Sequence, residues 1–586
     1  MPKDWLIAPP SEAREDLARG LRISPIVAQV LANRGVTDVE TARQFLKPQL
    51  ADILPPEALP GAVAAAERIA AAVKAGKKIV LFGDYDVDGI TGVSILWHCL
   101  RLAGAEPGFY IPHRLEEGYG INIEAIEAIA DEGADLIISV DCGITAVEPA
   151  AKARARGVDL IITDHHAPHT DADGRLILPE AMIVHPAVRL GDEPAYPNPD
   201  LCGAGVALKL AWAIGQTISR AARVTAEFRD FLVDAISLAA LGTIADVVPL
   251  TGENRLIAHH GLRGLPQSRH PGIRALIQSA GLTGKQLDGY DIGFKIAPRL
   301  NAIGRMGYAQ PAVEMLTRAG PDEAVRIATN LEQQNRARQT LERRIANEAR
   351  NLVLKEGQDA DTVRVIVLAS TGWHAGVIGI VASKIVEEFG RPAILIAVEN
   401  GAGQGSGRSI RHFPLHEALA HCSEHLVSFG GHAMAAGLRI NADNVNAFRE
   451  AFQARAGQLL TPADLRPKLH LDDVITLSQL DEQLVRDLGR LEPFGSGNPA
   501  PGLATDWLEV RGEPRAVGSP ANHLQVTLTD GRRQCRGIAF GQARLRQQLL
   551  DHRRCRVAFR PTLNEWNGRR SVEMQIVDFQ FPQDER

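Results

Sequence analysis

Continuous apolar runs alternate with helical stretches through the first half of the chain. Residues 78–82, 135–140 and 158–163 are short and apolar on both faces, which predicts buried strands of a parallel sheet. Alanine-rich stretches at 62–73 and 146–155 lie before or between them and predict helices. Ligands of such sheets bind at the carboxyl ends of the strands. All three runs end in acidic residues at that edge, at Asp84, Asp141 and Asp164.

From residue 322 to 355 the pattern changes. Ile327, Leu331, Leu341, Ile345 and Leu352 recur at helical spacing among Glu, Gln and Arg, with Gly357 beyond. Such a helix would be roughly 50 Å long. It is too polar for a core helix and reads as a connector between two lobes. A second α/β region follows, with strands at 363–368 and 392–398 and a helix at 377–388. Near the end, Leu524-Val526-Leu528 and Val572-Met574-Ile576 alternate with polar residues, the period of antiparallel strands with one wet face. A small β-barrel of the oligonucleotide-binding type fits that pattern.

Composition narrows the class. At 586 residues the chain predicts three or four domains. Its 45 % hydrophobic and 23 % charged residues are ordinary for a globular protein. No apolar run is long enough for a membrane span, and the N-terminus lacks the apolar stretch of a secretory signal, so the expected location is cytoplasmic. The six cysteines form no CxxC pair, which argues for reduced structural thiols. A net charge of −6 speaks against a polyanion partner, yet residues 531–570 carry eleven arginines against Asp551 and Glu565. That basic module points to nucleic acid; a solvated arginine-rich surface is the alternative. Trp566 within it is either a stacking residue or part of a core.

The strongest chemical signal is Gly83-Asp84-Tyr85-Asp86-Val87-Asp88-Gly89. Three aspartates in five residues repel one another, and at the mouth of a buried strand such a cluster is costly unless a cation neutralises it. A solvated turn or a calcium loop would be the alternative. An EF-hand would continue to a Glu and lie between helices, whereas here a predicted strand precedes and Thr91-Gly92-Val93-Ser94 follows. Asp164-His165-His166 adds imidazole beside carboxylate at a second strand end, a transition-metal pattern that is weak alone. Asp141 and Asp246 add carboxylates in apolar settings. Mostly oxygen ligands with one nitrogen favour manganese or magnesium over zinc.

In their order, DYDVDG, VDCGIT, TDHH and GTIADVV resemble the four motifs of the DHH phosphoesterases. The wider pattern resembles the RecJ family of single-strand-specific exonucleases. It includes IPHR and EGYG at 111–120, LCGAG at 201–205, IAPRLNAIGR at 296–305, GSGRS at 405–409, GGHAMAAG at 430–437 and LEPFG at 491–495. The resemblance covers nearly the whole chain. Ala375 stands where proline is expected, and the chain stops after the barrel, without the further domain of some longer relatives.

The resemblance implies a parallel-sheet metal lobe, a long connecting helix, a second α/β lobe and a C-terminal OB-type barrel. The expected boundaries are an N-terminal segment at 1–55, the catalytic domain at 56–318, the helix at 319–358, the substrate-binding domain at 359–462 and the barrel at 463–586. It implies two Mn2+ or Mg2+ ions. Asp84 and Asp86 would serve the first, Asp88, His165 and Asp246 the second, and Asp141 both; which of the three clustered aspartates binds directly stays open. Asp164 and His166 would hold the scissile phosphate and support the ligands.

Ser406, Arg408 and Ser409 combine glycines, hydroxyls and an arginine, which suits a phosphate loop or a plain turn. Arg114, Arg299 and Arg305 are the metal lobe's candidates for DNA phosphate. His374 and His432 either line the groove or serve as structural histidines.

The implied activity is a 5′–3′ exonuclease on single-stranded DNA that releases 5′-mononucleotides in recombination and repair. The chain would act as a monomer off the membrane, with single-strand-binding protein and a helicase as partners. The rivals are a DHH phosphodiesterase of short oligonucleotides or cyclic dinucleotides, a manganese pyrophosphatase and an inactive scaffold. Each leaves the basic barrel or the intact acidic cluster unexplained.

Overall fold

A computed structural model of the chain describes residues 3–114, 116–171, 173–191, 194–566 and 568–582. The first lobe is built on a five-stranded sheet. Its strands run Gly108–Tyr110, Ile79–Gly83, Leu136–Val140, Asp159–Thr163 and Met182–Val184, all parallel. The strands Ile79–Gly83 and Leu136–Val140 are buried along their whole length, as their unbroken apolar runs predict. Successive residues face opposite layers. Ile79 and Leu81 enter one core with helices Val87–Leu102, Gly203–Ser219 and Ala226–Ala245. Val80 and Phe82 enter the other, with helices Ile123–Asp131 and Val147–Ala155. Helices on both faces of a parallel sheet leave only the strand ends for a polar site.

Helix Pro321–Lys355 is 35 residues long and serves two cores. Ala324, Ile327, Ala328 and Leu331 pack into the first lobe, while Ile345, Ala349 and Val353 pack into the second. Between them a buried ion pair joins Arg338 to Glu342 at 2.8 Å. The second lobe is a mixed sheet in the order Ser428–Gly431, Ala435–Asn441, Ala402–Arg408, Ala393–Glu399 and Ile366–Ser370. Helix Ala375–Phe389 covers one face, and helices Leu415–His421 and Val445–Leu459 the other.

Five strands close the C-terminal barrel. Leu508–Val517, His523–Thr529, Gln534–Ala539, Arg569–Gln580 and Arg554–Trp566 pair in that circular order, and the last returns to the first. In chain order this is 1-2-3-5-4-1, with helix Arg546–His552 before the fourth strand, the arrangement of an OB barrel.

The N-terminal residues belong with that barrel. Strand Asp4–Ile7 pairs in parallel with Lys468–Leu471. Leu17, Ile26 and Leu31 share one core with Leu484, Leu503 and Phe559. Part of the N-terminal segment is thus a wall of the last domain, because its helices bury apolar residues there. Among the described residues no helix is long and apolar enough to cross a membrane.

Candidate active site

Five carboxylates and two imidazoles converge at the strand ends of the first lobe. Asp84 follows strand Ile79–Gly83, and its N–H donates to the Val140 carbonyl at 3.2 Å. Asp86 caps helix Val87–Leu102 by accepting from Asp88 N (2.9 Å) and Gly89 N (3.2 Å). This turns the acidic run into a helix start, so Asp88 points back from the first turn. Asp141 follows strand Leu136–Val140 in a left-handed conformation, φ 65°. Asp246 ends helix Ala226–Ala245, and the next residue, Val247, is also left-handed at φ 64°. Two non-glycine residues with positive φ beside one cluster mark backbone strain held by the surroundings.

The potential ligand atoms of Asp84, Asp86 and Asp141 lie within 4.8 Å of one another, as do those of Asp88, His165 and Asp246. Asp141, His165 and His166 form a third such group between them. Burial, and after it the neighbouring carboxylates, raises the pKa of Asp84, Asp86 and Asp141. Burial and Asp88 push Asp246 up to about 8. Burial drives His165 the other way, toward the neutral imidazole that a metal ligand needs.

Asp84 Oδ1, Asp141 Oδ1 and His165 Nε2 are buried without a hydrogen-bond partner. Orphaned donor atoms aimed into one space, in a cluster that resists ionisation, fit divalent cations. An oxygen-rich set with one imidazole suits manganese or magnesium.

Asp164 is a positioning residue. Its buried carboxylate accepts from the N–H groups of Ile144 (2.9 Å), His165 (2.7 Å) and His166 (3.1 Å). It also pairs with His166 Nδ1 at 2.8 Å. Burial opposes both charges, but the mutual bond outweighs it. His166 rises to about 9 and Asp164 falls to about 2. Tyr119 Oη lies 2.9 Å from His166 Nδ1 and donates toward the Asp141 carbonyl at 3.3 Å. Sequence reasoning missed this tyrosine as a site residue; its placement between two glycines in EGYG was the available signal.

A second cluster joins the two lobes. The Arg114 guanidinium lies 4.7 Å from the ring centre of Tyr85, next to Asp84. Burial and then Arg114, Arg338 and Arg408 lower Arg305 to about 10. Burial and Arg114 lower Arg408 likewise. The first turn of helix Ala375–Phe389 lies against both lobes: Arg305 donates to the Gly376 carbonyl at 3.4 Å, and a Cβ on Gly379 would sit 3.0 Å from an Arg408 nitrogen. Cations gathered beside a helix N-terminus suit an anion.

GSGRS is not a loop. Its first four residues, 405–408, lie in strand Ala402–Arg408, paired on both sides with Ala393–Glu399 and Ala435–Asn441. Its backbone amides serve the sheet and cannot cradle a phosphate. Gly405 and Gly407 are there because a Cβ would meet Leu438 at 2.7 Å or Leu415 at 2.8 Å. Ser406 and Arg408 share the other face, with Arg408 donating to Ser406 Oγ at 3.2 Å.

Ser409 is buried and donates to the Phe413 carbonyl at 2.6 Å, so it serves the turn and not a ligand. Arg299 is tied up in an ion pair with Glu332 at 2.8 Å. His374 caps helix Ala375–Phe389 through Nδ1, accepting from Gly376 N at 3.1 Å. His432 is exposed in the turn after strand Ser428–Gly431. The side chain of Trp566 lies outside the described residues.

Three family models match the chain: the DHH family N-terminal domain over residues 78–242, the DHHA1 domain over 362–458 and the RecJ OB domain over 471–578. The chain is 38 % identical to the single-stranded-DNA-specific exonuclease RecJ of Bacillus subtilis, over 98 % of this chain and 70 % of that protein. It is 31 % identical to the Escherichia coli protein of the same description, over 96 % of each. Among solved structures it is similar to Thermus thermophilus RecJ in complex with Mn2+. There the TM-score is 0.83 and the identity 32 %, covering 99 % of this chain and 80 % of that one. The same protein in complex with Mg2+ gives a TM-score of 0.77 at 31 % identity, over 99 % and 78 % of the two chains.

Proposed function

The chain belongs to the RecJ family of single-stranded-DNA-specific exonucleases, and from that premise we propose that it degrades single strands from a 5′ end that is gripped beside the metal site. It is a metal-dependent nuclease. Direction, product length and the roles of individual residues are our reading.

Asp84, Asp86 and Asp141 would hold one cation, and Asp88, His165 and Asp246, with Asp141, the other. Bound there, the cations would supply Lewis acidity, which lowers the pKa of a water and offsets charge on phosphate oxygens. The protein's own groups do the rest. Asp164 fixes the DHH turn through its backbone and imidazole bonds, and so aims His165 and His166. His166, held between Asp164 and Tyr119, presents its ring to the scissile phosphate. Arg114, Arg305 and Arg408 bind the terminal 5′-phosphate, with Ser406 steadying Arg408.

One adjacency carries the reading. Arg114 stacks over Tyr85, the residue after Asp84, so the anion site abuts the first ligand group. A 5′-phosphate held there would set a fixed distance to the bond that breaks, and mononucleotides would result. Strands would be supplied by a helicase or by single-strand-binding protein, and the working form would be a cytoplasmic monomer.

The test is a product-length assay. A long 5′-phosphorylated strand should yield mononucleotides from its 5′ end in Mn2+ or Mg2+. Asp141→Ala should remove cleavage while leaving strand binding largely intact. Short oligonucleotides as the only substrates would favour the phosphodiesterase alternative.

A further inference from the structure

The DHH turn is held at its start by its own aspartate and at its exit by a residue outside every motif of the site. Edge strand Met182–Val184 runs parallel to Asp159–Thr163, with Val184 opposite Thr163. The end of that strand therefore lies beside the turn, and the Val184 carbonyl accepts from Asp164 N at 3.3 Å. The next residue, His185, is fully buried. Pro186 follows it and favours an extended backbone at His185.

Both nitrogens of the His185 ring are used. Nδ1 accepts from Ala187 N at 3.0 Å and from Val188 N at 3.2 Å. A ring nitrogen that accepts carries no proton, so Nε2 is the protonated nitrogen of a neutral ring. Nε2 lies 2.8 Å from the His166 carbonyl and donates to it. The Nδ1 bonds stay within the turn at 185–188 and are what a structural histidine makes. The Nε2 bond reaches back 19 residues to the catalytic turn, and a structural role leaves it unexplained.

The exit of the DHH turn has little else to hold it. The His166 N–H and ring Nδ1 are tied to Asp164 Oδ1 at 3.1 and 2.8 Å, and its carbonyl is tied to His185. Beyond it, Ala167 makes no backbone hydrogen bond among the described residues, and Pro168 has no N–H to give. Strand His169–Thr170 pairs with Leu176–Ile177 in a separate small hairpin. Without His185 the part-buried His166 carbonyl loses its donor and the turn is drawn toward another one.

We propose that His185 is a positioning residue for the cleavage step: its Nε2–H fixes the exit of the DHH turn and so aims the His166 ring at the scissile phosphate. This rests on the role given to His166 in the nuclease reading above. A donor aimed at phosphate oxygens matters most as charge builds on them, so an error of aim lowers kcat and not the grip on the strand. The candidate metal ligands and the end-binding arginines do not touch His185, so their tasks continue without it.

Two variants of the full chain separate the two sides of the ring. His185→Asn places an acceptor where Nδ1 stands and keeps the bonds to Ala187 and Val188, but its amide is too short to reach the His166 carbonyl. His185→Gln reaches that carbonyl with an N–H, but its amide lies too far out to cap 187–188. Turnover of a 5′-phosphorylated single strand is measured in saturating Mn2+, Mn2+ binding by electron paramagnetic resonance, and stability by thermal melts. His185→Asn should melt and bind both Mn2+ and strand like the wild type, yet lose about 10-fold to 100-fold in kcat. His185→Gln should melt lower and recover most of that kcat. In a His166→Ala background His185→Asn should cost nothing further, since the two residues act as a unit. The reverse order of kcat for the two variants, an undiminished loss in the His166→Ala background, or weakened Mn2+ binding in His185→Asn overturns the proposal. If one variant fails to fold, the other decides: wild-type turnover in His185→Asn, or turnover as low as that of His166→Ala in His185→Gln, overturns it. A wild-type chain that cleaves no strand overturns the nuclease reading itself.

Discussion

Asp88 rests on the backbone of Gly203: the glycine N–H donates to Asp88 Oδ2 at 2.6 Å, across 115 residues of sequence. The Ala204 N–H donates to Oδ1 at 2.9 Å. The start of helix Gly203–Ser219 thus holds a candidate metal ligand in place, and its dipole offsets the buried charge. This accounts for LCGAG as a motif without any ligand of its own. A Cβ on Gly203 would lie 2.5 Å from Asp141 Oδ1 and 2.6 Å from Asp141 Cβ, so only glycine lets the helix approach both carboxylates.

Gly203→Ala should therefore damage the chemistry more than the fold. Moving Asp88 or Asp141 by about an ångström should lower kcat by on the order of 100-fold. Manganese titration should show weaker binding, while the far-ultraviolet circular dichroism stays that of the wild type. Retained kcat and metal affinity would mean that the carboxylates tolerate the shift.

The three polar residues of GSGRS should separate. Arg408→Ala removes charge-assisted bonds, a loss of about 1.5–3 kcal/mol, and should cut the preference for 5′-phosphate over 5′-hydroxyl ends by 10-fold or more. Ser406→Ala should cost only a few-fold, since its hydroxyl steadies Arg408. Ser409→Ala should leave end preference untouched and lower stability by about 1 kcal/mol, because it strips the Phe413 carbonyl of a donor. Competition between the two end types, read with thermal melts, distinguishes the three.

Removing the barrel from Arg466 onward should not leave a clean catalytic core. The cut uncovers Leu17, Ile26 and Leu31, and it takes away the Ser496 and Leu491 carbonyls that anchor Leu250 and Arg255 near Asp246. The truncated chain should aggregate, or cleave even short substrates poorly. Arg532→Gln/Arg560→Gln is the cleaner probe, since neither side chain makes a hydrogen bond or ion pair among the described residues. The slope of log affinity against log salt should become shallower by about 0.7 for each phosphate that is no longer neutralised. An unchanged slope would place the strand elsewhere on the barrel.

His270 should make the first lobe acid-sensitive. Its Nδ1 accepts from Gly272 N at 3.1 Å to cap helix Pro271–Ser279, and its ring packs edge-on against His98 at 5.2 Å. Burial, and then His98, depresses its pKa from 6.5 to about 4. The folded state thus binds this proton more weakly than the unfolded chain. The stabilisation is complete above pH 6.5 and is lost as pH falls toward 4. His270→Asn keeps a capping side chain without the titration, so its melting temperature should vary less across that interval. Parallel melting curves for the two proteins would show the histidine to be uninvolved.

The first-lobe chemistry was legible because it is local. Continuous apolar runs declare strands buried on both faces, and such strands expose their carboxyl ends, so Asp84, Asp141 and Asp164 could be placed at one edge from the pattern alone. The long helix announced itself in the same way, since a narrow apolar stripe on a polar helix needs partners without forming a core. GSGRS misled because glycine carries no hydrophobic signal. Only Leu438 and Leu415, pressing on Gly405 and Gly407 from other elements, explain why a strand must be built of glycine there.

Arg299 reads as a phosphate ligand in sequence, and only the fold sets Glu332 against it. Tyr119 joins the site only because its loop brings the hydroxyl to His166. Residues 14–46 stood in sequence only as an N-terminal segment, and their packing against residues 484–559 appears only in the fold. Periodicity states which face of an element is buried. What it is buried against depends on complementary shape and charge between segments hundreds of residues apart, and that is settled only when the chain folds.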